Sequence, residues 1–272
     1  MTVVEVVGGF LTNSLALISD AGHMFIDSLS LLMSIFAVRF ALKPATSKRT
    51  FGFYRVEIIV ALVNGMTLGV LSIFIFYQAA LRLFAPPGIK TFPMIIVAVL
   101  GLIANIIGAL IIRKDSKENL NVKGAFLHIV GDTLSSVGVI IGGIVMYFTY
   151  WYILDPVISI LIGIVILRGA GGLIKDSFEI LLESVPADID IDKITEDIKK
   201  ISNAKKVHHL HFWTISSNVH ALSVHIQVDD INVSDTEKIS AAIREKLAED
   251  YHIEHATMQY ECTECTESEI GE

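Results

Sequence analysis

Five apolar runs, each long enough to cross a lipid bilayer, constrain the fold of this chain more than any other feature. They lie near residues 14–41, 54–84, 91–113, 122–149 and 155–182. A membrane-spanning helix needs roughly 20 predominantly apolar residues. Over half of the residues are hydrophobic (53%) and few are charged (18%), which favours a membrane protein over an ordinary soluble domain. The sequence therefore predicts an α-helical membrane protein.

The first residues, MTVVEVVGGFL, form a further apolar run that is only about half a span long. The run has no basic region followed by a cleavage site, so it does not resemble a signal peptide. We interpret it as the C-terminal half of a first span, and we expect either that the natural protein extends upstream of Met1 or that this chain is a fragment with impaired insertion. The predicted membrane part is a six-span bundle with a truncated first span.

The character of the sequence changes at Pro186. Residues 185–272 hold 18 acidic and 8 basic residues, a balance poorly suited to binding nucleic acid or anionic lipid. Periodicity predicts helix, strand, strand, helix and strand, which is a small α+β unit of the order α-β-β-α-β. We therefore divide the chain into a transmembrane domain (1–184), a cytosolic domain (185–262) and an acidic flexible tail (263–272).

Basic residues in the loops indicate the orientation of the chain. They follow the second and fourth spans, at Lys43, Lys48, Arg49, Arg113, Lys114, Lys117 and Lys123. The loops on the opposite side hold fewer positive charges. The positive-inside rule then places both basic loops and the acidic domain in the cytoplasm.

Two histidine–aspartate pairs interrupt the apolar runs. His23 and Asp27 lie four residues apart in the second span, and His128 and Asp132 repeat this spacing in the fifth. Residues four apart share one helix face, and ionisable groups are costly in hydrocarbon. Two imidazoles and two carboxylates suit the tetrahedral shell of zinc. The alternative is two hydrogen-bonded pairs that only join helices. Asp20 either lines an aqueous path or marks a helix end.

The chain resembles the cation diffusion facilitator family, which consists of metal–proton antiporters with six spans and a cytosolic domain. The resemblance rests on SLALISDAGHMFID, KRTFGFYRVEIIVALVNG, LNVKGAFLHIVGDTLSSVGVI and VHHLHFWTIS, and it covers essentially the whole chain. The paired H-x-x-x-D motif is similar to the zinc-type branch, nearest to bacterial cobalt–zinc–cadmium resistance transporters. The long histidine-rich loop of many eukaryotic vesicular members is missing here.

The resemblance implies a transport site made of His23, Asp27, His128 and Asp132. It also implies efflux of Zn²⁺, with Cd²⁺ and Co²⁺ as further substrates, and a homodimer joined through the soluble sheet. A further metal site, found in some members in the loop after the second span, is expected to be absent. Its positions hold Thr46, Arg49 and Phe53 here, and arginine does not deprotonate to bind a cation.

Two further sets of residues take their expected roles from the resemblance. Arg55 and Glu183 fall where the family has a charge interlock near the dimer interface, although solvated charges at helix ends explain them equally well. In the cytosolic domain His208, His225 and Glu261 correspond to ligands of a regulatory metal. Some members carry a last-strand histidine where this chain has Gln259.

Strand alternation limits which cytosolic histidines join one site. It predicts His209 and His211 on one face of a strand and His208 on the other. Near the end of the chain, Cys262-x-x-Cys265 forms half of a zinc site or two idle thiols on a flexible tail. In a reducing cytoplasm a disulfide between them is not expected.

The predicted mechanism is exchange of metal for protons, because imidazole and carboxylate ligands bind metal only when deprotonated. Two other functions remain open at the level of sequence. One is a membrane metal sensor or scaffold that binds without transport. The other is an intramembrane metalloenzyme, which is disfavoured because no H-E-x-x-H occurs and neither Glu5 nor Glu57 has a histidine at ligand spacing.

Overall fold

The structure, a computed structural model, describes residues 1–112, 120–186, 188–216 and 219–263. The side chains of residues 112–128 lie outside this description, although residues 120–128 belong to a helix. The chain divides into two compact units. The first unit contains Met1–Phe36 and Val60–Ile174, and the second contains Ala37–Ile59 and the residues from Lys175 onward.

Among the described residues, six helices precede Pro186. They are α1 (Thr2–Thr12), α2 (Leu15–Ala41), α3 (Arg55–Phe84), α4 (Thr91–Ile112), α5 (Leu120–Thr149) and α6 (Leu154–Leu181). Helices α2 to α6 are long and apolar enough to cross a membrane, and α1 is a shorter apolar helix of 11 residues. The predicted helical membrane fold is confirmed, and the predicted half-span is a helix.

Helix α1 packs against its neighbours through small residues. Its buried face is formed by Glu5, Gly8, Gly9 and Thr12. A Cβ at Gly8 would lie 2.8 Å from the side chain of Val97 on α4, and one at Gly9 would lie 2.6 Å from Ile18 on α2. Because glycines allow helix backbones to approach closely, they bring α1 into direct contact with both helices. Glu5, one turn earlier, is therefore carried into the bundle.

A buried carboxylate fixes the start of α2. Asp155, at the beginning of α6, accepts hydrogen bonds from Ser14 Oγ (2.6 Å) and from the first two backbone amides of α2 (2.7 and 3.2 Å). Arg82, near the end of α3, donates to the Asn13 carbonyl (2.6 Å) and lies 3.5 Å from Asp155. Asp155 thus caps α2 from another helix, which satisfies amides that a helix start leaves unpaired. The position of His23 along α2 depends on this start.

The second unit contains the predicted α-β-β-α-β fold, which is confirmed. Its elements are α7 (Ile191–Ser202), β1 (Lys206–Ser216), β2 (Val219–Gln227), α8 (Val233–Tyr251) and β3 (Ile253–Glu261). The strands form one sheet in the order β1-β2-β3, in which β1 pairs with β2 antiparallel and β2 pairs with β3 parallel. The second pairing is a crossover that needs a connecting helix, and α8 provides it.

Helices α7 and α8 cover only one face of this sheet. One apolar cluster joins Ile194, Ile198, Ile243 and Leu247 of the helices to Leu222, Val224 and Ile226 of β2. Because alternate residues of a strand point to opposite faces, His225 lies on the face that α7 and α8 leave uncovered. Its partner across the antiparallel pair is His208. The fold therefore places two histidines side by side on the uncovered face.

Candidate metal centres

The first candidate centre lies where α2 and α5 approach each other within the first unit. His23 Nε2 lies 3.2 Å from Asp27 Oδ2, one turn further along α2, and 3.7 Å from Asp132 Oδ1 on α5. The exposed fractions of the three side chains are 18, 24 and 14%. An imidazole nitrogen thus lies between two carboxylates that come from different helices. This arrangement offers one nitrogen and two oxygen ligands to a cation.

The fourth expected ligand, His128, belongs to α5 one turn before Asp132. Its side chain lies outside the described residues, so the structure brings together three of the four expected groups. The spacing of four residues between His128 and Asp132 is the basis on which His128 is expected as a ligand, and this expectation stays a prediction. With its imidazole, the set would hold two nitrogen and two oxygen donors, the mixture that zinc accepts in four-coordinate sites.

Asp20 lies close to this centre. It is 3% exposed and accepts a 2.8 Å hydrogen bond from Ser135 Oγ, which lies on α5. The contact links α2 and α5 one turn before His23. Asp20 therefore adds a third buried or half-buried carboxylate between the two helices. Such a concentration of acidic groups in an apolar bundle favours the presence of a cation or of protons.

The second candidate centre lies on the uncovered face of the cytosolic sheet. His225 Nδ1 lies 2.8 Å from Glu261 Oε1, and His208 Nε2 lies 3.4 Å from Glu261 Oε2. One ligand atom from each of these residues lies within 4.8 Å of the others. Among the described residues, His208 Nδ1 and Glu261 Oε2 are buried without a hydrogen bond. A metal ion bound between the three side chains would give a partner to buried nitrogen and oxygen atoms of this kind.

The electrostatics of His208 favour its metal-binding form. Burial lowers the pKa of its imidazole, the neighbouring Glu261 opposes this effect, and His209 and His225 add to it. A lowered pKa keeps the ring neutral at neutral pH, and neutral imidazole is the form that coordinates metal. The residues of the second centre therefore fit a divalent cation both by position and by charge.

The prediction that His209 lies on the opposite face from His208 is wrong. The pairing of β1 with β2 shifts register between His208 and His211, and His209 has a positive φ of 46°. A bulge of this kind inserts an extra residue and interrupts the alternation of side chains. As a result the His209 ring lies 5.2 Å from the rings of both His208 and His225. Histidine tolerates this backbone region better than most residues, but no turn residue marks the bulge in the sequence.

Several other expected residues have defined positions in the second unit. Arg55 Nη2 lies 2.7 Å from Glu183 Oε1, so these charges form an ion pair. In the loop after α2, Thr46 and Arg49 exchange two backbone hydrogen bonds of 3.0 Å. The Arg49 guanidinium stacks on the ring of Phe53 at 4.6 Å. These are the three positions at which the family resemblance led us to expect no loop metal site, and that expectation stays a prediction.

One contact of Glu57 is not apparent from the sequence, and of the two tail cysteines only one is among the described residues. Glu57 Oε2 accepts a 2.6 Å hydrogen bond from Ser216 Oγ, which ties the end of β1 to the start of α3. Cys262 is exposed, whereas Cys265 lies outside the described residues. The proposed Cys262-x-x-Cys265 metal pair therefore stays a prediction.

Comparison with known proteins adds to this geometry. The family described as cation efflux transmembrane domain matches residues 1–182, and the family described as cation efflux protein, cytoplasmic domain, matches residues 186–262. A solved structure, the metal-bound C-terminal domain of the CzcD transporter from Cuprividus metallidurans, is 27% identical. It covers 27% of this chain and 99% of that chain, with a TM-score of 0.25.

Three bacterial relatives are similar over nearly the whole chain. The cadmium, cobalt and zinc/H(+)-K(+) antiporter of Bacillus subtilis is 42% identical, over 95% of this chain and 84% of that protein. The cation efflux system protein CzcD of an Alcaligenes species is 41% identical, over 99% of this chain and 85% of its own length. The zinc transporter ZitB of Escherichia coli is 40% identical, over 97% and 84% respectively.

Proposed function

The chain belongs to the cation efflux family, and from this premise we propose that it moves divalent metal ions out of the cytoplasm in exchange for protons. Zinc is the proposed main substrate, with cadmium and cobalt as further ones. The names of the relatives from Bacillus subtilis and Escherichia coli support this choice of ions. The protein is then a multi-pass transporter of the inner (plasma) membrane with a cytoplasmic C-terminal domain, and not an enzyme.

One observation carries the proposal. His23 Nε2 lies between the carboxylates of Asp27 and Asp132, at 3.2 and 3.7 Å, where two apolar helices approach each other. With His128 these residues form the proposed transport site. Imidazole ligands favour borderline ions such as zinc over magnesium and calcium, which prefer shells made only of oxygen. Residues 1–184 carry this site in the proposal.

The chemistry of the ligands couples metal transport to proton transport. A metal ion binds to deprotonated imidazole and carboxylate, so its arrival expels protons and proton uptake weakens its binding. If the site opens alternately to the two sides of the membrane, an inward proton gradient drives metal outward. The name of the Bacillus subtilis relative also mentions potassium, so the exchanged ion must be tested by varying both proton and potassium gradients.

The cytosolic domain, residues 185–262, has a separate role in this proposal. His208, His225 and Glu261 bind a regulatory metal ion, and the sheet joins two chains into a homodimer. The expected acidic tail at residues 263–272 falls almost wholly outside the described residues and stays a prediction. Light scattering of the protein in detergent should give the mass of a dimer, and a monomer at micromolar concentration would contradict this assembly.

Metal flux in proteoliposomes tests the proposed function directly. The purified protein is reconstituted, a zinc-sensitive dye is enclosed, and proton and potassium gradients are imposed separately. We expect zinc flux that follows the proton gradient and is small without one. The Asp176→Asn protein, in which an exposed aspartate of α6 is neutralised, serves as the matched control. Zinc binding without flux would instead support a sensor or scaffold.

A further inference from the structure

Glu5 is a buried carboxylate that the proposed transport site does not use. It lies in the middle of apolar α1, is 1% exposed, and points to the bundle face of that helix. Among the described residues, its Oε2 atom has no hydrogen-bond partner. An ionised carboxylate without a partner is expensive in an apolar environment. A group of this kind therefore binds either a proton or a cation.

The neighbouring helix leaves room for this side chain. Gly101 of α4 faces Glu5, and a Cβ at that position would overlap the Oε1 atom of the carboxylate. The absence of a side chain at Gly101 thus creates the space that the carboxylate fills. The Glu5–Gly101 contact follows directly after the Gly8–Val97 contact along the α1–α4 interface. The carboxylate therefore occupies the space between α1 and α4.

Glu5 lies at the level of the proposed transport site. Helices α1 and α2 are joined at Asn13 and Ser14, and Gly9 packs against Ile18, so Glu5, one turn before Gly9, lies at the level of the turn of α2 that carries Asp20 and His23. Asp20 on α2 and Asp132 on α5 act on Glu5 as like charges. From α4 the facing residue is the uncharged Gly101. Because Glu5 lies at this level of the bundle, we expect its protonation to respond to a change in charge at the proposed metal ligands.

We propose that Glu5 is a proton-exchanging group of the transport cycle, additional to the metal ligands and distinct from them. When the transport site holds no metal, Glu5 carries a proton as the neutral carboxylic acid. A dication arriving at His23 and Asp132 adds two positive charges nearby, and Glu5 then releases its proton to water as the ionised carboxylate. When the metal leaves, the carboxylate takes up one proton again. This inference rests on the proposed metal–proton exchange and names a further residue that performs it.

Two other roles for Glu5 give different outcomes. If Glu5 were only a polar group that fills the space at Gly101, glutamine would replace it without loss of zinc binding or of proton release. Its amide side chain has nearly the same size and is also polar. If Glu5 were a metal ligand, glutamine would weaken zinc binding strongly. A proton-exchanging role predicts neither result. Zinc binding is retained, but fewer protons are released for each zinc ion that binds.

The experiment compares the full-length parent protein with Glu5→Gln and with Glu179→Gln, a control at an exposed glutamate of α6. Zinc binding in detergent is measured by calorimetry in buffers of different ionisation enthalpy, which gives the number of protons released per zinc. We expect Glu5→Gln to bind zinc within about threefold of the parental Kd but to release about one proton fewer. Glu179→Gln should match the parent.

Proton release equal to that of the parent, or a zinc affinity lowered by more than about tenfold, overturns the proposal. If Glu5→Gln does not fold, infrared difference spectra decide instead. The parent should lose a band of protonated carboxylic acid on zinc binding, and Glu5→Asp should shift that band. A parent spectrum without such a loss, or a band unchanged in Glu5→Asp, overturns the proposal. If zinc flux through the parent protein does not depend on the proton gradient, the proposed function itself is contradicted, and this result is separate from the test of Glu5.

Discussion

His23 on α2 and Asp132 on α5 face each other, with the Nε2 and Oδ1 atoms 3.7 Å apart. The two residues are 109 positions apart in the sequence, so only the packing of the two helices brings them together. A metal ion bound between them would connect two elements of the bundle. Binding and release of the ion can therefore bias how α2 and α5 are arranged, which alternating access requires.

Removal of the His23 imidazole tests the proposed transport site. His23→Ala loses a metal ligand outright. Loss of a residue that only hydrogen-bonds to a ligand reduces metal affinity or activity by roughly 10–100-fold, and we expect zinc flux in His23→Ala to fall by more than this. Asp20→Ala, one turn earlier, removes the hydrogen bond from Ser135 but no proposed ligand, so its effect should be much smaller. The measurement is initial zinc flux into proteoliposomes at matched protein density. Parental flux in His23→Ala would mean that the histidine only joins helices.

The capping of α2 by Asp155 gives a prediction about stability. Asp155→Ala removes the acceptor of Ser14 Oγ and of two backbone amides, and it removes the ion-pair partner of Arg82; breaking a buried ion pair costs about 3–5 kcal/mol. We expect a clearly lower melting temperature in detergent. Asp155→Asn keeps an acceptor oxygen and should lose less. The exposed Asp176→Ala on the same helix is the control, and an equal loss in both alanine variants would contradict the capping role.

The cytosolic centre predicts a change in the number of bound metal ions. His225→Ala removes the ring whose Nδ1 lies 2.8 Å from Glu261, so the metal-saturated protein should bind about one zinc ion fewer per chain. His211→Ala is the matched control, because His211 is exposed on the same sheet. Equilibrium dialysis with metal analysis gives the count. An unchanged count for His225→Ala would exclude this residue as a ligand.

Hydropathy and helical period were sufficient to predict α2 to α6 to within two residues at each end. This is because the bilayer fixes the length of a span and the chain itself must satisfy the backbone within it. The pairing of His23 with Asp27 also followed from local spacing. The cap from Asp155 to Ser14 did not, because it joins residues 141 positions apart. The sequence marks Asp155 only as an acid at the start of a span.

The bulge at His209 explains the error at the cytosolic centre. Period-two alternation holds only while a strand keeps its register, and one inserted residue reverses the faces that follow. The buried position of Glu5 was also missed, since it depends on Gly101 of a helix far along the chain. Both cases are tertiary features that short-range periodicity does not encode.

The lowered pKa of His220 predicts how stability depends on pH. Burial is the largest cause of this shift, and the pKa of His208 is lowered in the same direction. Below about pH 6.5 the unfolded chain takes up protons that the folded chain does not, so stability falls as pH decreases through this range. We expect the urea midpoint of the metal-free protein, followed by Trp213 fluorescence in a Trp151→Phe background, to decrease on acidification. His220→Gln should flatten this decrease, and an identical slope would contradict the assignment.

Selectivity for zinc should depend on the imidazole of His23. His23→Asp replaces nitrogen by oxygen and leaves a shell of one histidine and three carboxylates on the same helix faces. Such a shell still holds a divalent cation, but oxygen ligands suit harder ions such as manganese. We expect His23→Asp to transport manganese better relative to zinc than the parent does, and to discriminate less against cadmium, which tolerates a larger shell.

Flux of the three ions is compared in parent, His23→Asp and His23→Ala proteins. The alanine variant should transport none of them well, because it lacks a ligand altogether. If the ratio of manganese to zinc flux is the same in His23→Asp as in the parent, residue 23 does not contact the transported ion.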